Sequence, residues 1–94
     1  MTDRLTDDEV ADGIAATGWT REGDAIVRDL ECADFSAAVA YVTRVAEAAE
    51  AAGHHPDILV HGYKNVRLTL STHSAGGLTQ ADLDLAAELD AAAT

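Results

Sequence analysis

Residues 34–53 read DFSAAVAYVTRVAEAAEAAG, an alanine-rich stretch closed by Gly53, and the only proline of the chain, Pro56, follows three positions later. Alanine favours helix more than any other residue, and neither glycine nor proline interrupts the run before Gly53. Gly53 suits the left-handed residue that ends a helix, and Pro56 prevents its continuation. Phe35, Val39, Val42, Ala46 and Ala49 recur at spacings of four, three, four and three, which predicts one buried face on a long central helix. In a chain of 94 residues this helix must be the largest single element, and every other element has to pack around it.

The flanking segments carry a different period. Before the helix, WTREGDAIVRDL holds two short segments around Glu22-Gly23-Asp24, where Gly and Asp supply the tight turn of an antiparallel hairpin. After it, DILVHGY and NVRLTLSTH are rich in β-branched and aromatic residues and predict two more strands joined near Lys64-Asn65. In the second of these, Val66, Leu68 and Leu70 alternate with Arg67, Thr69, Ser71 and His73, so one face is apolar and His73 ends the polar one. Thr6 and Glu9 have capping-box spacing and start a first helix over Asp7 to Ala16. Thr79 caps a last helix whose inward stripe is Asp82, Leu85, Ala86, Leu89 and Ala93. The order α-β-β-α-β-β-α predicts an α+β fold, a four-stranded antiparallel sheet with helices packed on one face. A chain of this length seldom holds two cores, so residues 1–94 are expected to form a single domain, and association with further copies would bury more of a small-grained core.

Charge restricts the partners. Seventeen acidic residues against six basic ones leave a net charge of −11, with acids in every element. Such a surface repels phosphates and anionic headgroups, which excludes nucleic acid and membrane as direct partners. It also suggests adaptation to high salt, where screening relieves self-repulsion. Cys32 is the lone cysteine, so no intrachain disulfide forms; with no apolar run near the roughly 18 residues of a membrane span and no apolar core near the N-terminus, a cytoplasmic protein is expected.

The chemistry-bearing residues cluster after the central helix. His54 and His55 follow its C-terminal end, where the dipole favours positive charge by roughly 0.3–1 kcal/mol. The residue before a proline is driven extended, so the two side chains should diverge, which argues against both ligating one zinc ion. Glu50 lies one helical turn before His54 and could orient it. His73 at a strand end and Asp82 three residues after Thr79 each have an ordinary structural reading, as surface residue and helix cap. Spacing alone does not separate a cap from a catalytic group at His54-His55.

Taken together, Glu50, His54-His55-Pro56, Tyr63, His73 and Asp82 resemble the signature of the pterin-4a-carbinolamine dehydratases: an acidic residue, three intervening positions, His-His-Pro, an aromatic beyond a short strand, then a histidine and an aspartate downstream. Gly18-Trp19, Ala33-Asp34-Phe35, Thr43 to Ala46, Leu70 to His73 and Gly77 to Ala86 extend the resemblance over most of the chain. It implies a hydro-lyase that converts 4a-hydroxytetrahydropterin to quinonoid dihydropterin and water, recycling the pterin used by aromatic amino acid hydroxylases. By position it implies His54 and His73 as acid–base catalysts, His55 as a substrate-binding residue, and Asp82 and Glu50 as supports. It further implies a pterin as substrate, no metal, no dissociable cofactor, and a homodimer or homotetramer. Ile58 departs from the pattern, since many relatives carry tryptophan there. Animal members also stabilise a transcription-factor dimer, so a non-catalytic interaction or assembly module is the alternative, as is a role in molybdenum-cofactor pterin chemistry.

Overall fold

The structure, a computed structural model, describes residues 3–93; Met1, Thr2 and Thr94 of the expected 1–94 domain lie outside the described residues. Helix α1 spans Asp7–Ile14, strands β1 and β2 span Thr20–Glu22 and Ala25–Glu31, helix α2 spans Phe35–Ala52, strands β3 and β4 span Asp57–His61 and Asn65–Leu70, and helix α3 spans Gln80–Ala92. All pairings are antiparallel, and the strand order is β1-β2-β4-β3. The expected α-β-β-α-β-β-α fold is the observed one.

The local signals explain most boundaries. Thr6 and Glu9 close a capping box, the Thr6 N–H donating to Glu9 Oε1 at 2.9 Å. Helix α1 ends at Ile14, two residues short of expectation, because Ala15 leaves helical geometry and Ala16 turns to φ +61°. Gly23, at φ +61°, and Asp24 form the turn that pairs Glu22 with Ala25. Asp34 caps α2 by accepting from the Ala37 N–H at 2.8 Å, and Gly53 ends it in the left-handed conformation at φ +64°.

Three expectations shift. The turn joining β3 to β4 is Gly62-Tyr63-Lys64, not Lys64-Asn65: His61 pairs with Asn65, and Gly62 and Tyr63 both take positive φ. Tyr63 is therefore an exposed turn residue. Strand β4 stops at Leu70, because Thr72 pairs its backbone with Gly77 and the chain tightens into a 3₁₀ turn over His73–Ala75. His73 thus opens a turn instead of ending a strand. On α2 the buried face is Ala38, Tyr41, Val45 and Ala49, whereas Phe35 and Val39 are 56% and 44% exposed. The helix carries two apolar stripes. The one with Tyr41 and Val45 is buried, and the Tyr41 hydroxyl reaches across to α3 to donate to the Leu89 carbonyl at 3.0 Å.

The core lies between the helices and one sheet face, where Ile26, Val66, Leu68 and Leu70 meet Val10, Tyr41, Val45, Leu85 and Leu89. On the stripe expected to be buried in α3, Asp82, Leu85, Ala86 and Leu89 are buried, and Ala93 is exposed. The opposite sheet face is mixed, with Val27 and Leu59 beside Asp29, Arg67 and Thr69. There Arg67 donates twice to Asp29 across β2 and β4, and this bonding holds the Asp29 carboxyl below its ordinary range. Cys32 is free and partly buried against the core. Among the described residues no helix is long and apolar enough to cross a membrane.

Candidate functional site

The end of α2 places the two histidines. Gly53 in left-handed geometry reverses the chain, the His54 N–H returns to the Ala49 carbonyl at 3.2 Å, and Pro56 commits the chain to β3. As expected, the adjacent side chains diverge. His54 is largely buried, its side chain 18% exposed, and its Nε2 lies 2.5 Å from Asp82 Oδ1. His55 stays at the surface, with Nε2 3.1 Å from Glu50 Oε2. Glu50 therefore supports His55 and not His54, because the chain reversal at Gly53 turns His54 toward α3.

Asp82 sits in the first turn of α3 with no exposed surface. A buried carboxylate needs full hydrogen bonding, and this one has it. Its Oδ2 accepts from the Thr72 hydroxyl at 2.7 Å and from the Thr79 N–H at 2.9 Å, while Oδ1 faces His54. Asp82 thus caps the helix with one oxygen and meets a histidine with the other.

His73 is exposed and completes the rim. It lines a cleft of about 300 Å³ together with Gly53, His54, His55, Ser71, Thr72 and Ser74. That volume is at the small end of ligand sites and fits a bicyclic heterocycle. The structure thus brings His54, His55, His73 and Asp82 to one place, with Glu50 behind His55. Tyr63 is not among them, since it sits at the far end of β3, beside Lys64. A second hollow of about 260 Å³, lined by Asp24, Ala25, Gly76 and Gly77, shares Ser71, Thr72 and His73 with the first. Among the described residues no group of three or more His, Cys, Asp or Glu side chains is placed to hold a metal ion.

Thr72 is the site residue that sequence reasoning misses. Its signal is its position, one residue before His73 where the alternation of β4 breaks down. Other parts of the expected motif serve the fold: Trp19 is buried and donates from Nε1 to Asp90 at 2.9 Å, beside the Arg28–Asp90 ion pair at 2.5 Å. Arg44 donates to the Ala92 carbonyl and ties α2 to α3.

The family profile described as "Pterin 4 alpha carbinolamine dehydratase" matches residues 3–92. The chain belongs to this family. A protein of Nocardia farcinica named "Putative pterin-4-alpha-carbinolamine dehydratase" is 52% identical over 95% of this chain and 94% of its own length. A protein of the same name from Roseiflexus sp. is 48% identical over 96% and 97%. Among solved structures, the transcriptional coactivator/pterin dehydratase from Brucella melitensis superposes with a TM-score of 0.91 at 35% identity, covering 98% of this chain and 100% of that one. A pterin dehydratase-like RuBisCO assembly factor of the alpha-carboxysome shares the fold, at TM-score 0.64 and 24% identity over 80% of this chain. Three residues that line the cleft of this pterin 4 alpha carbinolamine dehydratase family member, His54, His55 and His73, are among those on which the resemblance rests.

Proposed function

We propose that the chain dehydrates 4a-hydroxytetrahydropterin to quinonoid dihydropterin by histidine acid–base catalysis in the cleft between α2 and the 3₁₀ turn. The observation that carries this reading is the convergence of His54, backed by buried Asp82, with His73 and His55 on one cleft. In the reaction the C4a–O bond breaks and the hydroxyl leaves as water with a proton from a general acid. A general base removes the N5 proton, and that electron pair forms the N5=C4a double bond. Both proton transfers suit imidazoles, whose ordinary range lies near neutrality. His54 and His73 fill these roles, and His55, steadied by Glu50, contacts the pterin. No oxidation state changes, so the proposed chemistry draws on neither a metal nor a dissociable cofactor.

The outward stripe of α2, Phe35 and Val39 with partly buried Val42, supports assembly of a homodimer or homotetramer, since an apolar ridge on the longest helix buries well against a copy of itself. The same ridge, and the likeness to a protein that is both coactivator and dehydratase, favours a second reading as an interaction module. A cytoplasmic setting agrees with the free Cys32.

Freshly generated 4a-hydroxytetrahydrobiopterin distinguishes the two. The protein should accelerate its dehydration, and His54→Ala and His73→Ala should each lose most of that acceleration. Full rates in both variants would remove the assignment of these histidines, and no acceleration by the wild-type protein would leave the interaction module.

A further inference from the structure

Two threonines do more in this site than close a helix end. Thr72 leaves the last strand and Thr79 precedes the last helix, and their hydroxyl oxygens lie 2.9 Å apart behind Asp82. Counting protons gives every bond in this cluster a direction. The carboxylate accepts only, so the single Thr72 hydroxyl proton goes to Asp82 Oδ2. Thr72 Oγ1 is then the acceptor of the Thr79 hydroxyl. The Thr79 N–H takes a second position on Oδ2, which leaves Oδ1 for His54 alone. Because Oδ1 also only accepts, His54 Nε2 must carry a proton, and in the neutral ring Nδ1 is the nitrogen with the free lone pair.

We propose that Thr72 and Thr79 are positioning residues that orient Asp82 so that His54 is held as the Nε2–H tautomer, making His54 Nδ1 the base that takes the pterin N5 proton and leaving His73 as the acid. This rests on the dehydratase reading above and assigns the two histidines within it. Swinging Oδ1 away from the histidine requires rotation of the Asp82 side chain about χ1 or χ2, and the Thr72 hydroxyl and Thr79 N–H resist both by holding Oδ2. Thr79 is fully buried, and Thr72 contributes to the cleft wall at the junction with His73. The donors therefore converge on Asp82, the threonines from the buried interior and His54 from the cleft.

The test pairs histidine ring ¹⁵N NMR with kinetics. At a pH near 8.5, above the ordinary histidine range, long-range ¹H–¹⁵N correlations report each ring's tautomer without substrate. The wild-type protein should show His54 as Nε2–H; the Nδ1–H form would overturn the proposal by itself, whether or not any variant folds. Thr72→Val should give His54 as a mixture of tautomers and lower kcat about tenfold with KM within about twofold, and Thr72→Ser, which keeps the hydroxyl, should restore both. Thr79→Val serves as the second variant, with the same expected direction. An unchanged tautomer in the valine variants overturns the proposal, whatever the rate does, and so does a mixed tautomer with wild-type kcat. Should wild-type protein show no dehydratase activity, that failure belongs to the functional reading, and the tautomer measurements still decide whether the threonines set the state of His54.

Discussion

Asp82→Asn tests the centre of the site with one atom changed. The carboxylate now accepts three bonds: from His54 at 2.5 Å, from the Thr72 hydroxyl at 2.7 Å and from the Thr79 N–H at 2.9 Å. A carboxamide keeps one accepting oxygen and replaces the other by a donor. Placing the NH₂ toward Thr72 and Thr79 sets it against two donors, whereas placing it toward His54 opposes one, and that one can move its proton to Nδ1. The second orientation wins. All three bonds then fall from charge-assisted to neutral, a loss of about 1 kcal/mol each, so stability should drop by about 3 kcal/mol. For a domain of this size that lowers Tm by roughly 4–8 °C per kcal/mol. The larger effect is chemical. With Nδ1 protonated, His54 cannot accept a proton from the cleft, and removal of a general base costs about 10²–10⁴ in rate. Urea unfolding measures the first effect and stopped-flow dehydration of freshly generated carbinolamine the second. A variant within threefold of the wild-type rate would refute the role of Asp82 in holding His54, and a stability loss below about 1 kcal/mol would refute the bonding described for its two oxygens.

Three other outcomes are expected. Burial pushes the Tyr41 phenol up to about 12, above the 10.0 of a free tyrosine, so its neutral form stabilises the fold fully below about pH 10 and that contribution is lost as pH rises toward 12; Tyr41→Phe should flatten that part of an alkaline unfolding curve, and an identical curve would show the hydroxyl to be better solvated than its contact with Leu89 implies. Phe35→Glu with Val39→Glu should lower the mass seen by sedimentation velocity without unfolding the domain, and an unchanged mass would move any subunit interface away from α2. With a net charge of −11, stability should rise from low to molar KCl; equal urea midpoints would remove the idea of adaptation to salt.

The parts of the fold that are legible in the amino-acid sequence are those whose signals are local. Gly53, Pro56, the Thr6–Glu9 box and the alternation of Val66, Leu68 and Leu70 each act within a few residues, and the boundaries fall within about three positions of where they put them. The buried face of α2 departs from expectation because two apolar stripes share that helix, and periodicity states only that a stripe exists. Which one is buried depends on fit: small Ala38 and Ala49 are buried beside Val45, and Tyr41 finds a carbonyl of α3 to bond. The turn at Tyr63 departs from expectation because an aromatic at positive φ goes against residue preference.

The candidate site divides in the same way. The sequence by itself determined that His54 and His55 stand at a helix end facing different directions, since a left-handed Gly53 and a proline at 56 leave the backbone little choice. It also determined that Asp82 begins an inward stripe. Only the tertiary structure decided that Asp82 meets His54 rather than merely capping α3, that Glu50 serves His55, and that Thr72 belongs to the site. These pairings join residues 10 to 28 positions apart through the docking of α3 against the end of α2 and the strand exit, or depend on a chain reversal that redirects a side chain. Local preference sets which way the chain turns; which groups then meet is set by packing, and hydrogen bonding satisfies the polar atoms that packing buries.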